Sequence, residues 1–155
     1  FTSSPARGMS SKGVPKAGTP FELMPLAGED VKKRISAFRK GFRGKVNVMH
    51  YGRAYIQTFL SVGGREIARL LRLGYRLPYN RGAYRSLAER LGIDLDRVVY
   101  GPRGAPWWDH VDTGIIRGYL SRELERALEG EPTPGCDLLC TGCMRKCWIS
   151  IRGAG

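Results

Sequence analysis

The sequence predicts a mainly helical α+β protein with an extended N-terminal arm and a cysteine-rich C-terminal loop. Apolar residues recur at helical spacing in several segments after residue 29, whereas only residues 45–51 show the alternation typical of a strand. The 155 residues, 42% of them hydrophobic, are enough for one core. We therefore divide the chain into an arm (1–28), a helical core with a basic face (29–130) and a metal-binding tail (131–155).

Each predicted helix combines an apolar stripe with a stop signal. In the first, Val31, Ile35 and Phe38 recur at spacings of four and three. In the last, Gly130 follows the stripe and ends the helix. The predicted helices cover residues 29–42, 53–64, 65–76, 83–92 and about 114–129, with a further helical turn expected within 93–106.

The first 20 residues are small, polar and rich in Gly and Pro, without an apolar period. This composition predicts an extended arm that becomes ordered only against a partner. Because the sequence begins at Phe1, we expect the natural start to lie elsewhere. The chain contains no run of 18 apolar residues and no apolar segment of a secretory signal. We expect a cytoplasmic protein without a membrane partner.

The positive charge is concentrated in the first part of the chain. Residues 1–92 hold 18 Lys and Arg against 5 Asp and Glu, and residues 93–155 hold 8 against 9. A thermophile's solvated surface is one interpretation, and the chain has few thermolabile amides. Such surfaces balance their basic residues with Glu, however, and this one does not. The imbalance favours a polyanionic partner, for which RNA is our first choice.

The predicted helix at 65–76 carries arginines along one face, at spacings of four, three and four. Tyr75, Tyr79 and Tyr84 lie close by in the sequence. Arginines interleaved with aromatics suit phosphate pairing and base stacking. The alternative is that the arginines are only solvated and the tyrosines cap the core. The predicted nucleic-acid contacts are Arg65, Arg69, Arg72, Arg76, Arg81, Arg85, Lys12 and Lys16.

Four cysteines occur within twelve positions, and the first three have the spacing C-x3-C-x2-C. Thiolates are ligands for zinc and for iron–sulfur clusters, and a reduced compartment favours metal over disulfides. Zinc ribbons usually separate their ligands into distant pairs, so the crowding here favours a [4Fe–4S] cluster, with zinc left open. The predicted ligands are Cys136, Cys140, Cys143 and Cys147.

A second unusual segment, "PWWDHVDTG", places polar groups next to large aromatic side chains. A histidine between carboxylates is more often a hydrogen-bonding hub than a catalyst, and Asp112 could cap the following helix. We favour a structural or interaction role. The residues concerned are Trp107, Trp108, Asp109, His110 and Asp112.

Three segments, "VPKAGTPFELMPLAGED", "PWWDHVDTGIIRGYLSRELERALEGEPTPGC" and "CTGC", resemble the C-terminal region of a family of radical S-adenosylmethionine iron–sulfur proteins, some with a cobalamin-binding-type domain. The resemblance implies that the cysteines form the family's auxiliary cluster segment rather than its catalytic loop. The catalytic barrel that should precede this region needs about 200 residues, so we expect the chain to correspond to the family's tail without its barrel. The arginine-rich middle is a second departure from the family.

Phosphate-binding loops and nucleophile elbows are absent from the sequence. From the missing barrel and the basic middle, our first hypothesis is a non-catalytic tail module that binds RNA, as a ribosomal or ribonucleoprotein component of a thermophile, with the metal loop holding the tail together. The alternative is one chain of a split radical S-adenosylmethionine enzyme, with the barrel on a partner chain. A third hypothesis is a protein-docking module anchored by the two tryptophans.

Overall fold

The computed structural model describes residues 7–10, 14–42, 45–104, 106–135 and 141–144, and it confirms the mainly helical prediction. Strands β1 (Arg7–Ser10) and β2 (Lys45–Val48) pair in parallel, with Arg7 opposite Lys45. Among the described residues, no helix has both the length and the apolar character that a bilayer span requires. The helices are α1 (Val31–Gly41), α2 (Tyr51–Val62), α3 (Arg65–Gly74), α4 (Arg81–Arg90), α5 (Leu95–Tyr100) and α6 (Tyr119–Glu129).

Helix α2 forms the centre of the core. Seven of its twelve residues are buried, because α4 and α5 pack against it and the segment before α1 covers its start. The ring of Phe59 lies 5.5 Å from that of Tyr84 on α4. Tyr51 donates a hydrogen bond to the carbonyl of Ala27 at 2.8 Å. The buried residues of the core are Leu26, Tyr51, Ala54, Tyr55, Ile56, Phe59, Ile67, Leu70, Tyr84, Ala88, Leu95 and Val99.

Two glycines determine how α3 is placed between α2 and α4. A Cβ atom on Gly63 would lie only 2.2 Å from Ile67 Cγ1, so the tight connection between α2 and α3 requires glycine. Gly74 is buried at the other end of α3, where a Cβ atom would lie 3.1 Å from Leu87 on α4. These close approaches fix which side of α3 faces the core.

The segment preceding α1 differs from the predicted free arm, because it packs on the helical core from Val14 onward. Pro15 and Leu26 are buried, and the amide of Leu26 donates to the carbonyl of Val99 at 3.0 Å. The Arg103 guanidinium donates to the carbonyls of Met24, Val98 and Val99 and so joins this segment to the end of α5.

Helix α6 begins at Tyr119, five residues later than the sequence predicts. Gly114 and Gly118 both have left-handed backbones, with φ of 78° and 81°, which a helix does not allow. Between them, Ile115 forms an antiparallel bridge with Met144, and the Ile116 amide donates to the carbonyl of Cys143 at 3.0 Å. A β-bridge is incompatible with helical backbone at residue 115, so the helix begins only after Gly118.

Candidate nucleic-acid interface

The arginine stripe predicted on α3 lies on the side of the helix opposite to the core. Ile67, Leu70 and Gly74 are buried on the core side. At about 100° per residue, the arginines fall almost directly opposite this side, and the last one lies just beyond the end of the helix. All of them are exposed: Arg65, Arg69, Arg72 and Arg76, which we call the α3 arginine face.

Within the described residues, the α3 arginine face is not paired with carboxylates. The one acidic residue of α3, Glu66, lies in its first turn and accepts a hydrogen bond from the amide of Gly64 at 2.9 Å. Arg76 lies over the ring of Tyr75, at 5.2 Å from the ring centre. No ion pair joins Arg65, Arg69 or Arg72 to any carboxylate of the described chain. Four like charges on one face therefore remain available to an anion.

Of the three nearby tyrosines, two lie on the surface and one lies in the core. Tyr75 is 71% exposed and Tyr79 is 50% exposed, and both lie in the connection that follows α3. Tyr84 is only 8% exposed and packs against Phe59. Two exposed aromatic rings thus follow the α3 arginine face, one of them in contact with Arg76, and the third ring belongs to the core.

Arg81 and Arg85, also predicted to contact nucleic acid, are already paired within the protein. Arg81 Nη1 lies 2.7 Å from Glu29 Oε1, and its guanidinium lies 4.7 Å from the centre of the Tyr55 ring. Arg85 Nη2 lies 2.7 Å from Asp96 Oδ2. Their role in binding stays a prediction, but their charges are largely satisfied by these contacts.

The partners of Arg85 form a hydrogen-bonded chain that reaches into the core. Asp96 accepts a hydrogen bond from the Tyr55 hydroxyl at 2.7 Å as well as from Arg85. Burial and then the hydrogen bond to Asp96 raise the pKa of Tyr55 well above its usual value, so the hydroxyl stays a donor. This network links α4 to α2 and α5 and stabilises the fold.

The two predicted lysine contacts lie in the N-terminal segment. Lys16 is exposed, and its carbonyl accepts a hydrogen bond from the Thr19 hydroxyl at 2.7 Å in a local turn. Lys12 lies outside the described residues. No described contact places Lys12 or Lys16 next to α3.

Sequence reasoning did not assign any binding role to helix α1. Lys32, Arg39 and Lys40 line a groove between α1 and the start of α2. The signal in the sequence is that α1 contains five basic residues and no acidic one, with the basic residues off its apolar stripe. The positive charges of such a helix must either pair with an external anion or be hydrated by solvent.

The predicted metal ligands fall mostly outside the described residues, which include only Cys143. Its side chain is half-buried and forms no disulfide with any described residue. The short segment around it is attached to the start of α6, where the hydroxyls of Thr141 and Tyr119 lie 3.2 Å apart. Gly142 has a left-handed backbone, as a tight loop requires. Cys136, Cys140 and Cys147 are not described, so the four-cysteine metal centre stays a prediction.

The tryptophan segment lines a cleft of about 620 Å³ between the N-terminal segment and the start of α6. Trp108 Nε1 donates to Glu22 Oε2 at 3.0 Å, and His110 Nδ1 lies 2.9 Å from the Trp107 carbonyl. Asp112 accepts a hydrogen bond from the Gly114 amide at 2.8 Å rather than capping a helix. Asp109 lies 3.8 Å from the exposed Arg117. Local contacts of this kind favour the structural-hub interpretation.

No protein-family model matches the chain, and no curated protein or solved structure matches it significantly. The resemblance to radical S-adenosylmethionine proteins therefore stays a prediction.

Proposed function

We propose that this protein binds RNA through the α3 arginine face as a non-catalytic component of a ribonucleoprotein, such as the ribosome. The observation that carries the proposal is the α3 arginine face itself, which is exposed, faces away from the core and is unpaired within the described chain. Folding does not require this arrangement, because the buried side of α3 is supplied by Ile67, Leu70 and Gly74.

The chemistry of the face suits a phosphate backbone. Guanidinium groups bind phosphate oxygens through two parallel hydrogen bonds and keep their charge at all physiological pH values. From Arg65 to Arg76 the face is about 16 Å long, which is enough for several successive phosphates of one strand. Such contacts provide affinity without reading sequence.

The exposed tyrosines support RNA rather than duplex DNA as the partner. Tyr75 and Tyr79 lie at one end of the stripe and offer ring faces to unpaired bases. Unpaired bases in loops, bulges and ends are the usual targets of aromatic stacking in RNA recognition. The proposed contact is therefore a backbone held by arginines with bases stacked at its end.

A charge-reversal experiment tests the proposal. Affinity for a fluorescent single-stranded RNA is measured for the native sequence, for Arg69→Glu/Arg72→Glu and for Arg117→Glu/Arg122→Glu. The control pair changes the charge equally but lies near α6, where Arg117 is 90% exposed. We expect the α3 variant to lose at least about 100-fold in affinity and the control to lose less than about 3-fold. Equal losses would contradict the proposed location.

For the cysteine segment we propose a structural metal centre. The support is indirect: Thr141 to Met144 are attached to the residues before and at the start of α6, so a metal in this loop would hold the tail on the helical core. Metal analysis of the purified protein would distinguish one zinc from four irons per chain. Removing the metal should lower the thermal stability of the tail and leave RNA affinity at the α3 arginine face unchanged.

A further inference from the structure

An open groove of about 690 Å³ lies between helix α1 and residues 48–51, and we call it the α1 groove. Its floor is apolar, with the half-buried side chains of Ile35 and Met49 and the small exposed part (3%) of Tyr51. Its wall is basic, with Lys32, Arg39 and Lys40. A cationic wall beside an apolar floor is complementary to a chain that carries both negative charge and flat rings.

The basic residues of the α1 groove lie on one side of the helix. Lys32 and Arg39 are seven residues apart, two turns along the same side, and Lys40 is adjacent. Lys32 Nζ lies 3.0 Å from Glu29 and 5.0 Å from the centre of the Tyr51 ring. Within the described chain, neither Arg39 nor Lys40 forms an ion pair.

Helix α1 is lightly packed, which leaves the groove open. None of its residues is buried, and Phe38 of its apolar stripe is 49% exposed. The nearest carboxylate, Glu29, is held by both Lys32 and Arg81. The hydrogen bond from Lys32, followed by that from Arg81, lowers the pKa of Glu29, and the two cations leave the rim with excess positive charge.

The α1 groove is joined to the α3 arginine face through the start of α4. Arg81 reaches Glu29 at the mouth of the groove, and its guanidinium lies 5.9 Å from the centre of the Tyr51 ring in the floor. Two residues earlier in the chain is Tyr79, half-exposed at the C-terminal end of the α3 arginine face. The connection from α3 to α4 therefore brings the chain from the α3 arginine face to a residue that contacts Glu29 and Tyr51 beside the groove.

We infer that the α1 groove binds a single-stranded segment of the same RNA, with an unpaired base against Ile35 and Met49 and phosphates on Arg39 and Lys40. The inference depends on the proposed function and specifies its substrate as single-stranded. A duplex keeps its bases stacked inside and offers only phosphates, which would leave the apolar floor without a partner.

The test compares two charge reversals on the same helix. Arg39→Glu alters the groove, and Arg34→Glu makes the same charge change about 140° away around the helix, at a residue that does not line the groove. Affinity is measured for a single-stranded RNA of about 12 nucleotides, within the range that small single-strand binding modules cover, and for a duplex of the same sequence. Circular dichroism verifies that each variant keeps its helical content.

We expect the groove variant to lose at least about 10-fold in affinity for the single strand and less than about 3-fold for the duplex, with the control nearly unchanged. Equal losses in the two variants, or equal losses for single strand and duplex, would overturn the inference. If only Arg69→Glu/Arg72→Glu weakens binding, the groove assignment fails and the proposed function stands. If that variant also binds like the native protein, the proposed function fails.

Discussion

The arginines of α3 and those around α4 and α5 have the same chemistry but opposite surroundings. Arg69 and Arg72 point into solvent, unpaired within the described chain, while Arg85 and Arg103 are partly buried and hydrogen-bonded. Folding uses the second group, because each of its guanidiniums joins two different elements of the fold. It does not use the first group. We conclude that positive charge indicates a binding surface only where the protein itself leaves it unpaired.

The largest expected effect comes from neutralising the α3 arginine face. The variant Arg65→Gln/Arg69→Gln/Arg72→Gln/Arg76→Gln should lose at least about 1,000-fold in affinity for single-stranded RNA. Its free energy of unfolding should stay the same or rise by a few tenths of a kcal/mol, because like charges four residues apart repel. Urea denaturation measures stability and fluorescence anisotropy measures affinity. A clear loss of stability would mean that the face has a structural role.

Arg103→Ala should show the reverse pattern. It removes hydrogen bonds to three backbone carbonyls that attach the N-terminal segment to α5, and so should lower the free energy of unfolding by about 2–4 kcal/mol. RNA affinity, measured where the variant is still folded, should not change. Arg97→Ala is the matched control, because Arg97 is an arginine of α5 whose side chain makes none of these tethering bonds. Similar destabilisation in both variants would argue against the tethering role.

Asp96→Ala should be destabilising by about 1–3 kcal/mol, because it leaves the buried Tyr55 hydroxyl without its acceptor. Adding Tyr55→Phe to this variant removes the unsatisfied hydroxyl and should recover part of the loss. Chemical denaturation of the single and double variants forms a mutant cycle. Strictly additive effects would show that the hydrogen bond contributes nothing specific.

Tyr75→Ala should have the smallest effect, about a 10-fold loss in affinity for single-stranded RNA, since stacking on one base contributes about 1–3 kcal/mol. Tyr75→Phe keeps the ring and should bind like the native protein. Trp107→Ala, at a tryptophan that is 56% exposed in another part of the surface, should also bind normally. If Trp107→Ala causes the larger loss, the binding surface lies at the tryptophan cleft instead.

Local patterns in the sequence predicted the helices because apolar spacing and stop residues act within one segment. The late start of α6 could not be predicted this way, since it depends on Ile115 pairing with Met144, far along the chain. The docking of residues 14–28 depends on Arg103, nearly eighty residues beyond Met24. Such long-range contacts produce no periodic pattern in the sequence.

The residues of the candidate site could also be predicted only in part from local sequence patterns. Arg81 and Arg85 are four residues apart on a helix, just like Arg65 and Arg69, and the sequence gives no reason to separate the pairs. The difference lies in distant carboxylates, since Glu29 approaches Arg81 from 52 residues away and Asp96 approaches Arg85 from the next helix. Only the three-dimensional structure separates structural arginines from available ones.

The dependence of RNA affinity on salt concentration tests the central claim most directly. For single-stranded nucleic acid, each phosphate contact adds about −0.7 to the slope of log affinity plotted against log salt concentration. If the α3 arginine face binds phosphates, replacing its four arginines with glutamine should make the slope shallower by about 2.8. Parallel slopes for the native protein and this variant would contradict the claim, because they would show that none of these arginines contacts a phosphate.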